Sequence, residues 1–463
     1  MGRGMLSAGT YTEGSGVMSD SISRRDVLKN ASVATGLAVL GGVWSEPLEA
    51  QKKPKGKSPN SKLNIACVGA GGQGASDINH VSGENIVALC DVDEKRAAAT
   101  FNQYSQAQKF QDYREMFDKM HKEIDAVVVS TPDHNHAVIT SLALKMNKHV
   151  YCQKPLTHNV YEARYITNLA KSKPKLATQM GTQGHAFEGY HRLVEIIQKG
   201  VIGEVSEVHV WTDRPIWPQG VNRPTQILLP PSTLNWDQWI GPAAMRLYNP
   251  AYLPFVWRGW WDFGTGALGD MACHLMDPAF WALELGAPSS VSVVSAEGAT
   301  VDSPPTSSVL RYEFPKKGKK GKTALVWYDG KNRPPTALFG GETVPKIDNG
   351  SLFIGSNGKL LIDHNGMPIL LPKAQFANTT LPAPYLKRSP GHYLQWIEAC
   401  KMGTPTGSNF RYAGPMTEAI LLGNLALRVN RKIEWDAAKM VCKKDDEATA
   451  LVKPDYRDGW MLS

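Results

Sequence analysis

The sequence predicts an α/β protein whose first folded part is a doubly wound parallel sheet. Three apolar segments, LNIACV (63–68), NIVALC (85–90) and DAVVVS (125–130), are separated by stretches long enough for helices. A fourth segment, HVYC (149–152), continues the series. Short apolar strands that alternate with helices are typical of a parallel sheet covered by helices on both faces.

A glycine-rich turn, GAGGQG (69–74), follows the first predicted strand and matches the pattern GxGxxG. The first glycine of this pattern permits a tight turn, and the second lets backbone amides approach a pyrophosphate. The third glycine lets helix and strand pack closely, and the helix N-terminus faces the phosphates. The cofactor contacts predicted in this turn are Gly69, Gly71, Gly72, Gln73 and Gly74.

The second predicted strand ends in Asp91, which lies 22 residues after Gly69. A carboxylate at this place accepts the adenosine ribose hydroxyls and repels a 2′-phosphate. The sequence therefore favours NAD over NADP. A Rossmann-like fold without a dinucleotide, and a flavin in its place, are the alternatives.

The third predicted strand is followed by STPDHNHA (130–137), at the edge where doubly wound sheets bind ligands. Asp133 can cap the helix that begins there. The pair of His residues suggests no third ligand, so no metal site is predicted. The cofactor contacts expected in this segment are Thr131, Pro132, His134 and His136.

Three residues are candidates for catalysis. Lys154 stands at the end of the fourth strand, between Gln153 and a proline, beside the position expected for the nicotinamide. Asp270 and His274 are four residues apart, so on a helix they share one face. Oxidation of an alcohol needs a base within hydrogen-bond reach, which His274 can provide. Asp270 can orient a substrate hydroxyl or the imidazole, and Lys154 can stabilise alkoxide character. The alternative is an ordinary helix-terminal Asp and a core His.

These segments occur in the order VGAGGQG, DVD, STPDHNHA, CQKPLTH and GALGDMACHLMD. From about residue 63 to residue 428, the chain resembles the family of glucose–fructose oxidoreductase, inositol dehydrogenase and MocA. The resemblance implies a second α/β domain with an open, mostly antiparallel sheet, and sugar, polyol or glycoside substrates. It also implies a homo-oligomer, and it matches the family's Lys, Asp and His to Lys154, Asp270 and His274. Gln153, a predicted cofactor contact together with Lys154, stands where the family usually has Glu.

Seven of the thirteen Trp residues lie between positions 211 and 261, which include a Pro-rich stretch (213–231) typical of a long functional loop. Aromatic rings can stack on the apolar faces of sugars, although most of these Trp residues can also serve as core packing. The predicted substrate contacts are Gln183, His185, Trp217, Trp257 and Arg258.

The stretch SRRDVLKN (23–30) and the mildly apolar residues after it resemble a twin-arginine export signal, with Val27 where Phe is common. The apolar stretch is too short to span a bilayer stably, so no transmembrane span is expected in the mature protein. We expect a periplasmic or otherwise exported protein that folds before the twin-arginine machinery carries it. The alternative is a chance Arg pair, and Met1, Met5 and Met18 are alternative starts.

Charge and cysteine content exclude two other classes of protein. The net charge is +8, but two short runs, 51–62 and 315–322, hold five Lys each and no acidic residue. Nucleic-acid binding usually needs basic residues spread over a folded face, so it is not predicted. Six Cys without CxxC spacing suggest no zinc site. The predicted division of the chain is a signal (1–50), a basic linker (51–61), a Rossmann domain (62–180), a substrate-binding and oligomerisation domain (181–440) and a C-terminal tail (441–463).

The sequence thus predicts an exported NAD-dependent oxidoreductase that acts on a hydroxyl of a sugar, polyol or glycoside. Because no NAD pool is expected outside the cytosol, the cofactor is expected to stay bound and to be recycled. One alternative is a redox-neutral glycoside hydrolase that works by transient oxidation, elimination and water addition. Another is a non-catalytic carbohydrate-binding protein on the same fold.

Overall fold

Two β-sheets organise the protein in the computed structural model, which describes residues 61–316, 318, 321–343 and 345–462. The predicted export signal and all but the last residue of the predicted linker lie outside these residues. The first part comprises β1 (Asn64–Val68), α1 (Gln73–His80), β2 (Asn85–Cys90), α2 (Glu94–Gln103), β3 (Gln108–Phe110), α3 (Tyr113–Met120), β4 (Ala126–Val129), α4 (Asp133–Lys145), β5 (His149–Cys152), α5 (Val160–Ser172) and β6 (Thr178–Met180).

The first sheet confirms the predicted doubly wound class. Its six strands are parallel, in the order β3-β2-β1-β4-β5-β6. The central strand β4 reads AVVV and is buried throughout, as expected for a parallel strand covered on both faces. The strand order reverses between β1 and β4, so the carboxyl ends of these two neighbours border the crevice where such sheets bind ligands.

The second sheet is mixed and mostly antiparallel, which confirms the other half of the predicted fold class. Its order is β13-β12-β11-β7-β10-β9-β8-β14-β15, and only the β7–β10 pair is parallel. Its elements and those around it are α6 (Glu188–Gln198), β7 (Val205–Trp211), α7 (Trp236–Ile240), α8 (Gly266–Leu275), α9 (Asp277–Leu283), β8 (Ser290–Glu297), β9 (Ser307–Pro315), β10 (Lys322–Tyr328), β11 (Gly350–Gly355), β12 (Gly358–Asp363), β13 (Ile369–Leu371), α10 (Lys373–Phe376), α11 (His392–Met402), α12 (Phe410–Val429), β14 (Ile433–Asp436), β15 (Val441–Cys442) and α13 (Asp446–Ala450).

Helix α8 carries the predicted Asp and His and is held at both ends. All ten of its residues are buried. At its start, Asn424 Nδ2 donates a hydrogen bond to the carbonyl of Thr265, at 2.9 Å. At its end, Tyr190 Oη donates to the carbonyl of His274 and Ser351 Oγ to that of Leu275, both at 2.8 Å. The last two bonds satisfy carbonyls that the helix leaves free, and all three fix the direction of its side chains.

The last part of the chain returns to the first sheet. Trp396, on α11, is fully buried against a cluster that includes Cys67 and Tyr151. Helix α12 packs along α5, which belongs to the first part of the chain. Within the predicted tail, Trp460 is buried beside Tyr113, with ring centroids 6.1 Å apart. The two sheets therefore share one body of packed side chains.

Three further features of the described residues concern cysteines, metal sites and membrane-spanning helices. All six cysteines are free, and Cys67 and Cys90 are buried. No group of three His, Cys, Asp or Glu side chains in residues 61–462 is arranged to hold a metal ion. A search of the helices in the same residues finds none with the length and apolar content that a bilayer crossing requires.

The contact between α12 and α5 leads to a first prediction. An added Cβ at Gly414 would overlap Thr167 Oγ1. Replacing glycine by alanine inside a helix ordinarily stabilises it by about 1 kcal/mol. We expect Gly414→Ala instead to lower the free energy of unfolding by about 1–3 kcal/mol, because the two helices cannot separate without loss of packing. Urea denaturation measures the change.

The control for this prediction is Thr167→Ala, alone and together with Gly414→Ala. Without the Thr167 hydroxyl, the methyl group added at position 414 has room. In the Thr167→Ala background, Gly414→Ala should therefore lower the free energy of unfolding much less than it does in the parent. A Gly414→Ala single variant that is more stable than the parent would contradict the packing described here.

Candidate active site

A cavity of about 550 Å³ lies along the carboxyl ends of the first sheet. This is the crevice that the strand order predicts for a ligand. Its lining follows the order of the strands. Asp91 therefore lies on one side of the glycine turn, and Lys154 lies on the other. The lining includes Gln111 after β3, Asp91 after β2, Gly69 and Gly71 to Gln73 after β1, Ser130 to Asp133 after β4, and Gln153 and Lys154 after β5.

The glycine turn has the backbone that a dinucleotide requires. Gly69 has φ of 88° and Gly72 has φ of 56°, both in the region that favours glycine. A Cβ at Gly74 would overlap the carbonyl of Gly69, so this glycine serves close packing and does not line the cavity. Gly72 precedes α1 and gives it no side-chain cap. The amide of Gly74 donates to the carbonyl of Gly71 at 3.0 Å, whereas within the described residues the amides of Gln73 and Ala75 remain available to a phosphate. The turn therefore fits the pyrophosphate of a dinucleotide.

Asp91 lines the cavity and also braces the glycine turn. Its Oδ2 accepts hydrogen bonds from the amides of Ala70, at 2.7 Å, and Gly71, at 3.2 Å, while its Oδ1 accepts from the amide of Asp93 at 3.0 Å. Burial raises the pKa of Asp91, and the three amide bonds oppose that rise. Arg96, which the sequence analysis missed, lies against the turn close enough that a Cβ at Gly71 would meet its side chain.

Two predicted cofactor contacts, His134 and His136, do not line the cavity, whereas Thr131 and Pro132 do. The ring nitrogens of His134 lie 2.9 Å and 3.2 Å from the carbonyl oxygens of Trp239 and Phe263. Those of His136 lie 2.7 Å and 2.8 Å from the carbonyl oxygens of Pro155 and Thr131. Both rings point toward backbone carbonyls, so the expectation that they face the cofactor is corrected.

Asp133 faces the cavity and links the two sheets. The expectation that it caps α4 is wrong, because its side chain makes no capping bond and instead accepts a hydrogen bond from Thr265 Oγ1 at 2.7 Å. Thr265 directly precedes α8. Burial raises the pKa of Asp133 to about 7. The cavity thus contains a carboxyl group that can change its protonation state near neutral pH.

The predicted catalytic Lys and Asp meet across the two sheets. Lys154 Nζ donates hydrogen bonds to Asp270 Oδ1, at 2.7 Å, and to the carbonyl of Asp270, at 2.9 Å. Arg258 Nε donates to the same Oδ1 at 2.9 Å. Burial alone would raise the pKa of Asp270, but Lys154 and Arg258 outweigh it and hold the pKa well below its ordinary value. In the described residues, Asp270 Oδ2 has no hydrogen-bond donor, so it can accept one from a ligand.

His274 lies one turn after Asp270 on α8 and lines the same cavity. Its Nδ1 is buried and has no hydrogen-bond partner within residues 61–462. Its ring centroid lies 5.2 Å from that of His364. Burial, followed by the charges of Lys154 and His364, lowers the pKa of His274 well below its ordinary value. The imidazole is therefore neutral at physiological pH.

Gln153, which stands where the family that the chain resembles usually has Glu, contacts a buried carboxylate. Gln153 Nε2 donates hydrogen bonds to both carboxylate oxygens of Asp77, at 3.0 Å and 2.9 Å. Asp77 is fully buried, so a Glu at position 153 would place two carboxylates in contact. The carboxylate partner of Lys154 is instead Asp270. Asp77 accepts further hydrogen bonds from Gln73, Ser130 and Tyr393.

Four of the five predicted substrate contacts, Gln183, Trp217, Trp257 and Arg258, line the cavity. His185 does not, and its placement near the substrate is corrected. Its Nδ1 lies 2.9 Å from Asp277 Oδ2, and its ring stacks on Trp281. Trp239, which the sequence analysis did not single out, also lines the cavity.

Comparison with protein families identifies the chain. An oxidoreductase-family NAD-binding Rossmann model matches residues 63–181, and the C-terminal alpha/beta domain model of an oxidoreductase family matches residues 192–462. The chain belongs to the Gfo/Idh/MocA oxidoreductase family. This confirms the resemblance inferred from the motifs and supports a nicotinamide cofactor in the cavity.

Named relatives match a part of the chain. An inositol 2-dehydrogenase of Salmonella typhimurium is 30% identical over 152 residues, which are 32% of this chain and 45% of that protein. A glycosyl hydrolase family 109 protein of Solibacter usitatus is 29% identical over 203 residues, which are 40% of this chain and 45% of that protein. The match thus spans less than half of the length of either relative.

Solved structures of the same fold cover most of the chain. The WlbA dehydrogenase from Bordetella pertussis, in complex with NADH and UDP-GlcNAcA, aligns with a TM-score of 0.56 and 17% identity over 81% of this chain and 99% of that chain. The aldose-aldose oxidoreductase from Caulobacter crescentus, complexed with glycerol, aligns with a TM-score of 0.53 and 16% identity over 81% and 100%. At these identities the likeness concerns the fold alone.

The contact between Gln153 and Asp77 gives a second prediction. We expect Gln153→Glu to lower the free energy of unfolding at pH 8 by about 3 kcal/mol, because two buried carboxylates would face each other. Asp77→Asn in the same chain restores an amide–carboxylate pair and should recover much of the loss. Urea denaturation of the four proteins of this double-mutant cycle measures the coupling, and additive effects of the two substitutions would contradict it.

The environment of Asp133 gives a third prediction. The folded protein keeps the Asp133 proton up to about pH 7, whereas the unfolded chain releases it near pH 4. This group therefore stabilises the fold at low pH, and its contribution is lost as the pH rises from about 4 to 7. Relative to the parent, Asp133→Asn should gain stability over this interval, by on the order of 4 kcal/mol.

The measurement is the difference in the free energy of unfolding between the parent and Asp133→Asn at each pH. Asp118→Asn, on the exposed side of α3, is the matched control. A difference that stays constant between pH 4 and pH 8 would show that Asp133 does not titrate in this interval.

Proposed function

We propose that this chain is an NAD-dependent oxidoreductase that acts on a hydroxyl of a sugar, polyol or glycoside. The cluster of Lys154, Asp270 and His274 carries the proposal, because it brings a cation, a charged carboxylate with a free oxygen and a neutral imidazole to one cavity. The similarity to the named inositol 2-dehydrogenase supports a carbohydrate-like substrate.

The residues of the chain supply the proton chemistry of such a reaction. An ammonium group has three N–H bonds, and Lys154 uses two of them on Asp270, which leaves one for the reacting oxygen. That N–H stabilises alkoxide character as the hydroxyl proton leaves. The neutral His274 accepts the proton. Asp270 Oδ2 accepts a hydrogen bond from a neighbouring substrate hydroxyl and so fixes the orientation of the ring.

The glycine turn would hold the pyrophosphate of the dinucleotide, and Asp91 would accept the hydroxyls of its adenosine ribose. A bound nicotinamide supplies the hydride acceptor for the oxidation. The carboxylate of Asp91 supports NAD over NADP, because it repels a 2′-phosphate. The nearby guanidinium of Arg96 would attract the same phosphate, so the choice between the two cofactors depends on the balance of these side chains.

We further propose that the protein is exported by the twin-arginine route and carries its cofactor with it as a homo-oligomer. The pattern SRRDVLKN in residues 23–30 supports the route. Outside the cytosol, a dehydrogenase that released its reduced cofactor would stop after one turnover. A cycle in which the same bound cofactor is reduced and then reoxidised avoids this limit.

A redox-neutral glycoside hydrolase is the second candidate, and two observations favour it. One is the similarity to a glycosyl hydrolase family 109 protein. The other is Asp133, whose pKa of about 7 supplies a second proton donor or acceptor in the cavity. In such a cycle, oxidation of a sugar hydroxyl to a ketone acidifies the neighbouring C–H. A base removes that proton, the aglycone leaves with a proton, water adds, and the ketone is reduced again.

The experiment that tests both candidates is the release of nucleotide from protein purified without added cofactor. We expect near-stoichiometric nucleotide after denaturation, and expect it to react in an NAD-specific rather than an NADP-specific cycling assay. Lys154→Ala should retain the nucleotide and lose turnover of its best sugar or glycoside by about 100-fold or more. Lys171→Ala, exposed on α5, is the control.

The outcomes separate the candidates. Oxidation of a free sugar coupled to reduction of a second one supports the oxidoreductase, and release of aglycone without net redox change supports the hydrolase. Lys154→Ala with every activity intact would favour a non-catalytic protein. Protein purified without nucleotide would favour a dehydrogenase that exchanges its cofactor and would contradict its retention.

A further inference from the structure

A strained turn projects an aromatic side chain at the wall of the cavity. Phe255 has φ of 66° and ψ of −45°, and the amide of Val256 donates a hydrogen bond to the carbonyl of Pro254 at 2.7 Å. This is a γ-turn with positive φ at its centre, a rare and unfavourable conformation for a residue with a bulky side chain. Strain of this kind persists where the surrounding structure holds it, and it is concentrated at ligand-binding sites.

The side chain that the turn projects is exposed although it is large and apolar. Phe255 is 43% exposed and Ile216 is 62% exposed, and both line the cavity. Trp217, by contrast, is 5% exposed and is fixed by a hydrogen bond from its Nε1 to Gln219 Oε1 at 2.9 Å. Its ring meets that of Phe255 edge to face, with centroids 5.8 Å apart. Phe255 and Ile216 therefore form an apolar surface that faces the cavity, and the ring of Phe255 packs against the fixed ring of Trp217.

Arg258 connects this surface to the reactive cluster. Its guanidinium carbon lies 4.2 Å from the ring centroid of Trp257 and 4.8 Å from that of Phe255. Its Nη1 donates a hydrogen bond to the carbonyl of Phe255 at 3.3 Å, and its Nε donates to Asp270. The surface formed by Ile216, Trp217, Phe255 and Trp257 is called the aromatic wall below. The guanidinium of Arg258 connects the aromatic wall to the carboxylate of Asp270, which contacts Lys154.

We infer that the aromatic wall is a second subsite and that the substrate is a glycoside, with its reacting sugar at Lys154 and Asp270 and its second ring against Phe255. The inference rests on the proposed function. A flat ring with C–H or π faces gains from stacking on an exposed aromatic side chain, and Phe255, 43% exposed at the cavity wall, offers such a side chain. An aryl aglycone and a second sugar share this chemistry.

The test compares three forms of each sugar on the NAD-loaded full chain: the free monosaccharide, its para-nitrophenyl glycoside and a disaccharide. Saturation-transfer NMR measures binding, and turnover is measured separately. We expect both glycosides to bind about tenfold more tightly than the monosaccharide. A preference for the aryl form alone identifies an aryl aglycone as the occupant, and a preference for the disaccharide alone identifies a sugar.

The decisive variant is Phe255→Gly, because glycine adopts the positive φ without strain and removes only the ring. Its thermal midpoint should stay close to that of the parent, because relief of the strain offsets the lost ring contacts with Trp217 and Arg258. The preference for glycosides should fall to about twofold or less. Binding of the monosaccharide should not change. Phe255→Tyr keeps the ring and the preference, and Leu229→Ala, 90% exposed and outside the cavity lining, is the control.

Two results would overturn the inference. One is a glycoside preference that survives Phe255→Gly, and the other is an equal loss for monosaccharide and glycoside, which would place Phe255 at the reacting ring. Glycoside binding that depends on Phe255, with no turnover of any sugar, would contradict the proposed oxidoreductase and leave the subsite in place.

Discussion

The ion pair between Lys154 and Asp270 is the interaction on which the candidate site depends. It joins the end of β5, in the first sheet, to α8, beside the second sheet. Both side chains are largely buried, so each charge would carry a large desolvation cost without the other. A pair of this kind adds little net stability, but it makes any other relative position of strand and helix unfavourable. The ion pair thus fixes the relative position of β5 and α8, and with it the geometry of the cavity.

Hydrogen bonds at both ends of α8 also hold this helix in place. Thr265 donates to Asp133 and accepts from Asn424, so the start of the helix is tied both to α4 and to α12. The other end is held through its carbonyls by residues of α6 and β11. A helix that carries two functional side chains on one face can position them only if its rotation about its own axis is fixed. These bonds fix that rotation from both sheets.

Much of the fold could be predicted because its signals are local. The strands of the first sheet are short apolar runs that end in glycine or polar residues, and Asp270 and His274 share a face through helical spacing alone. The errors concern side chains whose partners are distant in sequence. His134 meets Trp239 and Phe263, and His185 meets Asp277. No local pattern distinguishes a His that faces a cavity from one that faces a backbone carbonyl. The same reason explains why Arg96 and the turn at Phe255 were missed.

Charge also divides the chemical roles within the cavity. Two cations, Lys154 and Arg258, converge on one oxygen of Asp270, so this carboxylate stays ionised and cannot serve as a proton acceptor near neutral pH. The positive charge of Lys154 in turn disfavours protonation of His274, which burial already disfavours. The imidazole is thus kept in its neutral form by the same group that would stabilise the oxygen losing its proton, but that charge also makes it a weaker base. Any substitution that moves Lys154 would therefore change both the base and the stabilisation of the alkoxide, so their contributions are not additive.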